Sequence, residues 1–360
     1  MTLEFTQRIQ RIPVYPVASG YDLGGEMAML ASNESCFGPF PAVVEAATGA
    51  LAAANRYPDP AYAPLRRALA ARYGIPSQHI ALGNGSCDIL LAAGEALLEP
   101  GAEVIYAWPA FSVYPHLAAA AGARAVAVPL DGQERHDLEA ILAEITVATR
   151  LMLVCNPNNP TSTALALDQI EAFLARVPRH VCVILDEAYC EFALALGDTQ
   201  ASVELLRRYP NLVLLRTFSK VYGLAGLRAG YALCASSEFP VAVDQVRQPF
   251  YLSAAAQAAA AEALRHQDEV ERRVTATVAA RLELQDGVGD LGLWVAESDA
   301  NFIWLRLGEK LDEAAVVSGL RERGVLVRAG GSLGREGALR VTVGTDSENE
   351  RFLGALRDLV

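Results

Sequence analysis

Nowhere in the 360-residue chain does an uncharged apolar run reach the roughly 18 residues of a membrane-spanning helix. Positive charge is short as well: 30 Lys and Arg face 42 Asp and Glu, a net charge of -12. Such a chain repels nucleic-acid backbones and anionic lipid surfaces at long range, so neither is an expected partner. No two of the six cysteines, at positions 36, 87, 155, 182, 190 and 234, form a C-x-x-C pair. Reduced thiols are expected, buried where they fall within apolar runs. The five histidines, at 79, 116, 136, 180 and 266, lack metal-ligand spacing, and no metal site is expected. Residues Met1 to Arg8 lack the basic start and apolar centre of a secretion signal, so a cytoplasmic location is the expectation. Internal repeats and low-complexity linkers are missing too.

What the chain does have is length and apolar content, 52% hydrophobic residues, enough for a large core in two domains or one domain with a satellite. Short apolar runs recur at 104–107, 151–155, 181–185 and 212–215, separated by helical segments. Runs of this kind read as buried parallel strands, and their alternation with helices predicts an α/β domain whose ligands gather at the carboxyl ends of the strands. Residues 253–284 are first alanine-rich and then charged, without proline and with no glycine, which predicts one long helix bridging two domains. Beyond it, strands at 301–305, 324–328 and 338–343 alternate with helices at 313–323 and 348–359, a smaller α+β unit. The expected division is an N-terminal arm with part of the small domain (1–40), a large α/β domain (41–252), and the bridging helix with the small domain (253–360).

Chemistry-bearing residues sit just past the predicted strand ends. Asn158-Asn159-Pro160-Thr161, Asp186-Glu187-Ala188-Tyr189, Thr217-Phe218-Ser219-Lys220 and Arg228 occur in that order. Residues 27 and 34 positions apart, as Asn159, Asp186 and Lys220 are, meet at one edge if their strands are parallel neighbours. The set suits pyridoxal 5'-phosphate, which needs an amine to join its aldehyde, a carboxylate to keep its ring nitrogen protonated, and donors for its phosphate. Lys220 supplies the amine and Asp186 the carboxylate, while Ser219 and Arg228, with Thr217 beside them, face the phosphate. Tyr189 and Asn159 are candidates to hydrogen-bond the phenolic oxygen. The segment Gly83-Asn84-Gly85-Ser86-Cys87 passes from a strand through glycines into a helix whose free N–H groups and Ser86 hydroxyl can bind phosphate. Taken alone it is also an ordinary strand-to-helix turn. Phe111 is placed to stack on the ring or to fill the core. Arg340, inside an apolar strand, fits a bidentate bond to a substrate carboxylate or a structural ion pair.

These motifs, with Leu30-Ala31-Ser32-Asn33-Glu34, Arg56-Tyr57-Pro58-Asp59, Gly226-Leu227-Arg228 and Leu339-Arg340-Val341-Thr342-Val343-Gly344-Thr345, closely resemble the histidinol-phosphate aminotransferase family of fold-type I pyridoxal-phosphate enzymes. The likeness runs from about Tyr15 to the C-terminus. It implies a large mostly parallel-sheet α/β domain with a smaller α+β domain, and a homodimer in which Tyr57 reaches the cofactor phosphate of the partner subunit. The resemblance also implies that Ser86 and Cys87 lie at that phosphate, that Asn33 and Arg340 hold the backbone end of the substrate, and that Tyr15 and Arg328 lie near its distal group. Three positions depart from the family's habit: Cys36 for proline, Cys87 for an acid, and Ser162 for glycine. The stretch Asn159-Pro160-Thr161-Ser162-Thr163 is similar to the aromatic amino acid aminotransferases within the family.

The expected function is therefore transamination between histidinol phosphate and 2-oxoglutarate, with an aromatic amino acid aminotransferase as the alternative. A decarboxylase of an O-phospho amino acid shares the resemblance. A transcription regulator carrying an aminotransferase-like domain fits poorly, because no basic segment or DNA-binding module precedes Tyr15 and the chain is acidic.

Overall fold

The computed structural model describes residues 3–5, 7–12, 27–193 and 197–360. Its strands are β1 (Ala28–Met29), β2 (Ile80–Gly83), β3 (Glu103–Trp108), β4 (Arg124–Pro129), β5 (Thr149–Cys155), β6 (Cys182–Asp186), β7 (Leu212–Thr217), β8 (Gly230–Cys234), β9 (Trp294–Val295), β10 (Phe302–Arg306), β11 (Val325–Leu326), β12 (Arg328–Ala329) and β13 (Ala338–Thr342). Seven of them form one sheet in the order β2-β8-β7-β6-β5-β3-β4, in which only β8 runs against its neighbours. The expected α/β architecture with a mostly parallel sheet is present.

Continuous apolar runs form these strands because both sheet faces are covered. Successive residues of β5 divide between two cores: Met152 and Val154 join the cluster with Leu65, Leu69 and Phe173, while Leu151 and Leu153 join the one with Ile89, Leu90 and Leu117. The alternation follows from the two-residue period of a strand. A second, antiparallel sheet, β12-β13-β10-β9, packs with β1 and β11 around Ile303, Leu320, Val341 and Phe352. Through the parallel pair β1–β11, residues just before Leu30 join the C-terminal unit. We propose one domain limit at 40 and the second after helix Ala254–Ala263 rather than at the expected 252, because that helix contributes Ala256, Ala259 and Ala260 to the core of the large sheet.

Two elements differ from expectation. The long helix predicted at 253–284 is two helices, Ala254–Ala263 and Gln267–Gly289. His266 leaves helical geometry at φ -105° and ψ 57°, and the Leu264 carbonyl accepts from the Gln267 side chain at 2.9 Å. Asp268 and Glu269 in the first turn of the second helix favour a new N-terminus there. The strand predicted at 324–328 divides between two sheets, β11 pairing with β1 and β12 with β13. The second helix packs Val270 into the core of the large sheet and Leu284 and Val288 into that of the C-terminal unit, and its Arg281 Nη1 donates to the carbonyls of Phe192 (2.9 Å) and Ala300 (3.0 Å).

All six cysteines are free, and Cys155, Cys190 and Cys234 are buried. Among the described residues no helix is long and apolar enough to cross a membrane, and no cluster of side chains has the makings of a metal site.

One close approach fixes how the large sheet meets its first helix. A Cβ on Gly230, which pairs with Gly83, would lie 2.3 Å from the Ser86 nitrogen and 2.6 Å from the Gly85 carbonyl carbon. Backbone has no rotamer with which to retreat. Gly230→Ala should therefore lower stability by about 1–3 kcal/mol, as overpacking does. An unchanged midpoint in denaturant titration would refute this.

Candidate active site

Strands β5, β6 and β7 are parallel neighbours, with Cys155 opposite Asp186 and Asp186 opposite Leu215. Their carboxyl ends therefore deliver Asn159, Asp186 and Lys220 to one edge, where they line a cavity of about 390 Å³. Asn33, Ser86, Cys87, Phe111, Tyr189, Thr217, Ser219, Arg228, Arg328 and Arg340 line it as well. One predicted site residue is not brought in. Tyr57 is absent from the lining, 81% exposed, and stacked on Phe250 at 4.6 Å. Tyr15 lies outside the described residues.

Lys220 Nζ donates to the carbonyls of Asn33 (2.9 Å) and Ser32 (3.3 Å). Burial, reinforced by the Arg340 charge, pulls its pKa down to about 7. A neutral amine is a nucleophile, so the pocket prepares the lysine for attack on a carbonyl near neutral pH. Burial acts oppositely on Asp186 and pushes it up to about 6, a rise limited by a hydrogen bond from Tyr114 Oη at 3.0 Å. Tyr114 was not expected from the sequence. It is wholly buried, and nothing in Phe111-Ser112-Val113-Tyr114 distinguishes it from a core aromatic.

At the opposite end, helix Ser86–Leu97 starts after Gly85 at φ 82°, and its first N–H groups have no intrahelical partner. Asp88 Oδ2 ties the turn down by accepting from Asn84 N and from Arg247, both at 3.0 Å. A Cβ on Gly85 would lie 2.4 Å from Arg228 Nη2, so the glycine is what lets this guanidinium lie against the turn. Helix N-terminus, guanidinium and the Ser86 and Ser219 hydroxyls together match a phosphate dianion. Burial lifts the Cys87 thiol to about 11, which keeps it protonated and unreactive. The donors thus suit the phosphate, ring nitrogen and aldehyde of pyridoxal phosphate at three separate points of one cavity.

Arg340 closes the remaining side. Its Nη1 donates to Asn159 Oδ1 and its Nη2 to the Ala31 carbonyl, each at 2.6 Å. With its oxygen so engaged, Asn159 presents its NH2 group as donor. Arg328 is the direct cross-strand partner of Arg340, so two guanidinium groups reach the cavity from adjacent strands. Asn33 is committed to Tyr189, whose oxygen accepts from Nδ2 at 3.1 Å, and to Thr342, whose hydroxyl accepts from the Asn33 nitrogen at 2.9 Å. The Tyr189 oxygen keeps its own proton to give. Thr342 was also missed, although it lies two residues beyond Arg340 on the same face of β13.

A further signal lay unused in the composition: the chain has only two lysines, Lys220 and Lys310. The family profile "Aminotransferase class I and II" matches residues 26–356. The aromatic amino acid aminotransferase of Thermobifida fusca is 46% identical over 92% of this chain and 90% of its own length. Histidinol-phosphate aminotransferase 2 of Ralstonia nicotianae is 43% identical over 96% and 92%. Among solved structures, histidinol-phosphate aminotransferase from Sinorhizobium meliloti in complex with pyridoxal-5'-phosphate superposes with a TM-score of 0.86 at 29% identity, covering 100% of this chain and 98% of that one.

The depressed Lys220 pKa has a definite sign. Between about pH 7 and the ordinary lysine value near 10.4, the unfolded chain holds a proton that the folded apoprotein lacks, so this group's contribution to stability rises with pH across that window. The rate at which apoprotein captures pyridoxal phosphate should correspondingly climb through about pH 7 and then level off. A rate still climbing towards pH 10 in stopped-flow absorbance would show the amine to be an ordinary one.

Proposed function

Since this chain belongs to the class I and II aminotransferases, binds pyridoxal phosphate and transfers amino groups, we propose that it moves the amino group of an aromatic amino acid to 2-oxoglutarate. The observation that carries this is the pinned Arg340, buried and bonded through both terminal nitrogens. A fixed guanidinium suits a group that is the same in both halves of the reaction, and an amino acid and an oxo acid share their carboxylate. Relatives bearing the aromatic name, 46% and 43% identical in Thermobifida fusca and Streptomyces coelicolor, support the choice, as does Ser162.

Bound pyridoxal phosphate supplies an aldehyde that joins amines and a ring that accepts the electron pair left at the α-carbon. The chain does the rest. Arg228, Ser86, Ser219, Thr217 and the N-terminus of helix Ser86–Leu97 hold the phosphate, with Cys87 packed alongside. Asp186, kept in place by Tyr114, would hold the proton on the ring nitrogen, and Phe111 would pack against the ring. Asn159 and Tyr189 donate to the phenolic oxygen. Asn33 and Arg340 would bind the substrate carboxylate and so orient its α-carbon. Lys220 would join the cofactor aldehyde through its amine and, as a base beside the substrate, would take the α-proton on Nζ and give it back. A pKa near 7 leaves it able to do both.

The second reading, histidinol phosphate as amino donor, is favoured by Arg328, whose guanidinium could meet a phosphate. Half-reactions with phenylalanine, tyrosine, histidinol phosphate and glutamate decide between them. Phenylalanine or tyrosine should discharge the cofactor absorbance faster than histidinol phosphate, and the reverse order would replace the aromatic reading with the other. Arg328→Ala should weaken use of glutamate and histidinol phosphate by about 1.5–3 kcal/mol, the range for hydrogen bonds to charged groups, and of phenylalanine much less. Equal losses for all would place Arg328 at the common carboxylate instead.

We further propose a cytoplasmic homodimer with shared sites. Tyr57 is exposed and outside its own cavity, which suits a residue that acts in the partner's. Mixing Lys220→Ala dimers with Tyr57→Ala dimers under subunit exchange should regenerate activity, because each heterodimer has one site with both residues intact. No recovery, with exchange verified by mass spectrometry, would mean a site built from one chain.

A further inference from the structure

We propose that Glu134 is a positioning residue that locks the Asn159 turn to the strands carrying Arg340. This inference rests on the proposed roles of Asn159 and Arg340. Glu134 lies in the loop after β4 and is 3% exposed. Its φ of 63° is a conformation that glycine or asparagine adopts more cheaply than glutamate. Turn geometry alone therefore does not call for this side chain, and its bonds do.

The residue works in two directions. Its carboxylate accepts from Trp304 Nε1 at 3.1 Å and from Arg306 Nε at 2.8 Å, and Arg306 Nη2 lies on the same oxygen. Both partners belong to β10, where Trp304 is the cross-strand neighbour of Arg340. Its carbonyl accepts from the hydroxyls of Thr161 (2.9 Å) and Thr163 (2.7 Å). Thr161 Oγ1 in turn accepts from Asn158 Nδ2 at 2.8 Å, and Asn158 precedes the Asn159 that meets Arg340. His136, two residues after Glu134, completes the loop's hold on the turn. Its Nε2 lies 3.1 Å from Asn158 Oδ1, and burial brings its pKa down to about 4, so it stays neutral.

A closed circuit results: Glu134 to the turn, the turn to Arg340, Arg340 across the sheet to Trp304, and Trp304 back to Glu134. Trp304 also packs with Leu333, which lines the cavity beside Arg328. Opening the circuit at the carboxylate would free the turn to shift against the sheet. Arg340 and Asn159 would then lose alignment together.

The test uses holoenzyme and binding of 3-phenylpropionate, a substrate-like carboxylate that cannot react, followed by its perturbation of cofactor absorbance. Glu134→Gln should weaken binding about tenfold. In an Arg340→Ala background the same change should add less than about twofold, because Glu134 acts through Arg340. The pH midpoint of the cofactor absorbance should rise in Glu134→Gln, as a misaligned Asn159 stabilises the phenolate less. Unchanged binding and midpoint, or effects that simply multiply in the double variant, would overturn the inference and leave Glu134 structural. If Arg340→Ala itself binds the probe normally, the carboxylate role of Arg340 fails first and this inference with it. Should Glu134→Gln not fold, Arg306→Gln removes the nearer of its two counter-charges, Arg335 Nη2 lying 3.6 Å from the same oxygen, and must show the same pattern.

Discussion

Desolvation at the carboxyl edge of three parallel strands is the constraint on which the site depends. Water is removed from Lys220 and Asp186 together, and each is driven towards its neutral form, the lysine down to about 7 and the carboxyl up to about 6. That state is reactive and also unfavourable, since buried groups at the edge of ionisation gain little from one another. The packed strands β5, β6 and β7 sustain it through side chains committed to the two flanking cores. Glu187 shows the arrangement's selectivity. The carboxylate next to Asp186 is held by Arg216 at 2.9 Å, in a pair 1–2% exposed, so a second negative charge at the site is met by its own cation. A ligand that brings a pyridinium to Asp186 and a dianion to Arg228 relieves the remaining imbalance, and by linkage its binding also stabilises the fold.

Backbone strain gathers around the same edge. Asn33 and Arg228 line the cavity at φ 54° and 58°, and Glu134 and Ser162 flank the Asn159 turn at 63° and 62°. Non-glycine residues enter this region only where surrounding contacts hold them. Ser162 is a clear case, because its nitrogen donates to the Asn158 carbonyl and its own carbonyl accepts from Asp299 N, both at 2.8 Å. The turn is thus sewn to the C-terminal unit at the point where glycine would be the relaxed choice.

Legibility in the sequence tracked the range of the interactions. The apolar runs of β5, β6 and β7 showed the strands because parallel strands buried on both faces need little but apolar residues, and the polar residues just past their ends showed the edge. The helix break at Leu264 to His266 was hidden, for no glycine or proline marks it and the stop is made by the Gln267 side chain. The bond from Tyr114 to Asp186 spans 72 residues and that from Trp304 to Glu134 spans 170. No local pattern announces such pairs. A Tyr or Glu bound for a buried network looks like a core aromatic or a solvated charge until the chain has folded. Thr342 was within reach, since the two-residue period of β13 places it beside Arg340.

On the proposed reading, the two arginines opposite each other let one cavity serve two substrates in turn. Arg340 is buried and pinned, so it can recognise only what does not change between the half-reactions. Arg328 lies half-buried on a strand of two residues, and its long side chain lines the cavity. Its guanidinium would meet the second carboxylate of a dicarboxylate, whereas an aromatic ring would lie along its aliphatic stem. Histidinol phosphate asks for something else: its alcohol carbon stands where an amino acid has its carboxylate, and its phosphate brings a larger dianion between Arg328 and the Arg340 that cannot move. The more firmly Arg340 is held, the less easily that exchange is made, which is why the rigidity of its two short bonds bears more directly on substrate choice than the presence of a second cation.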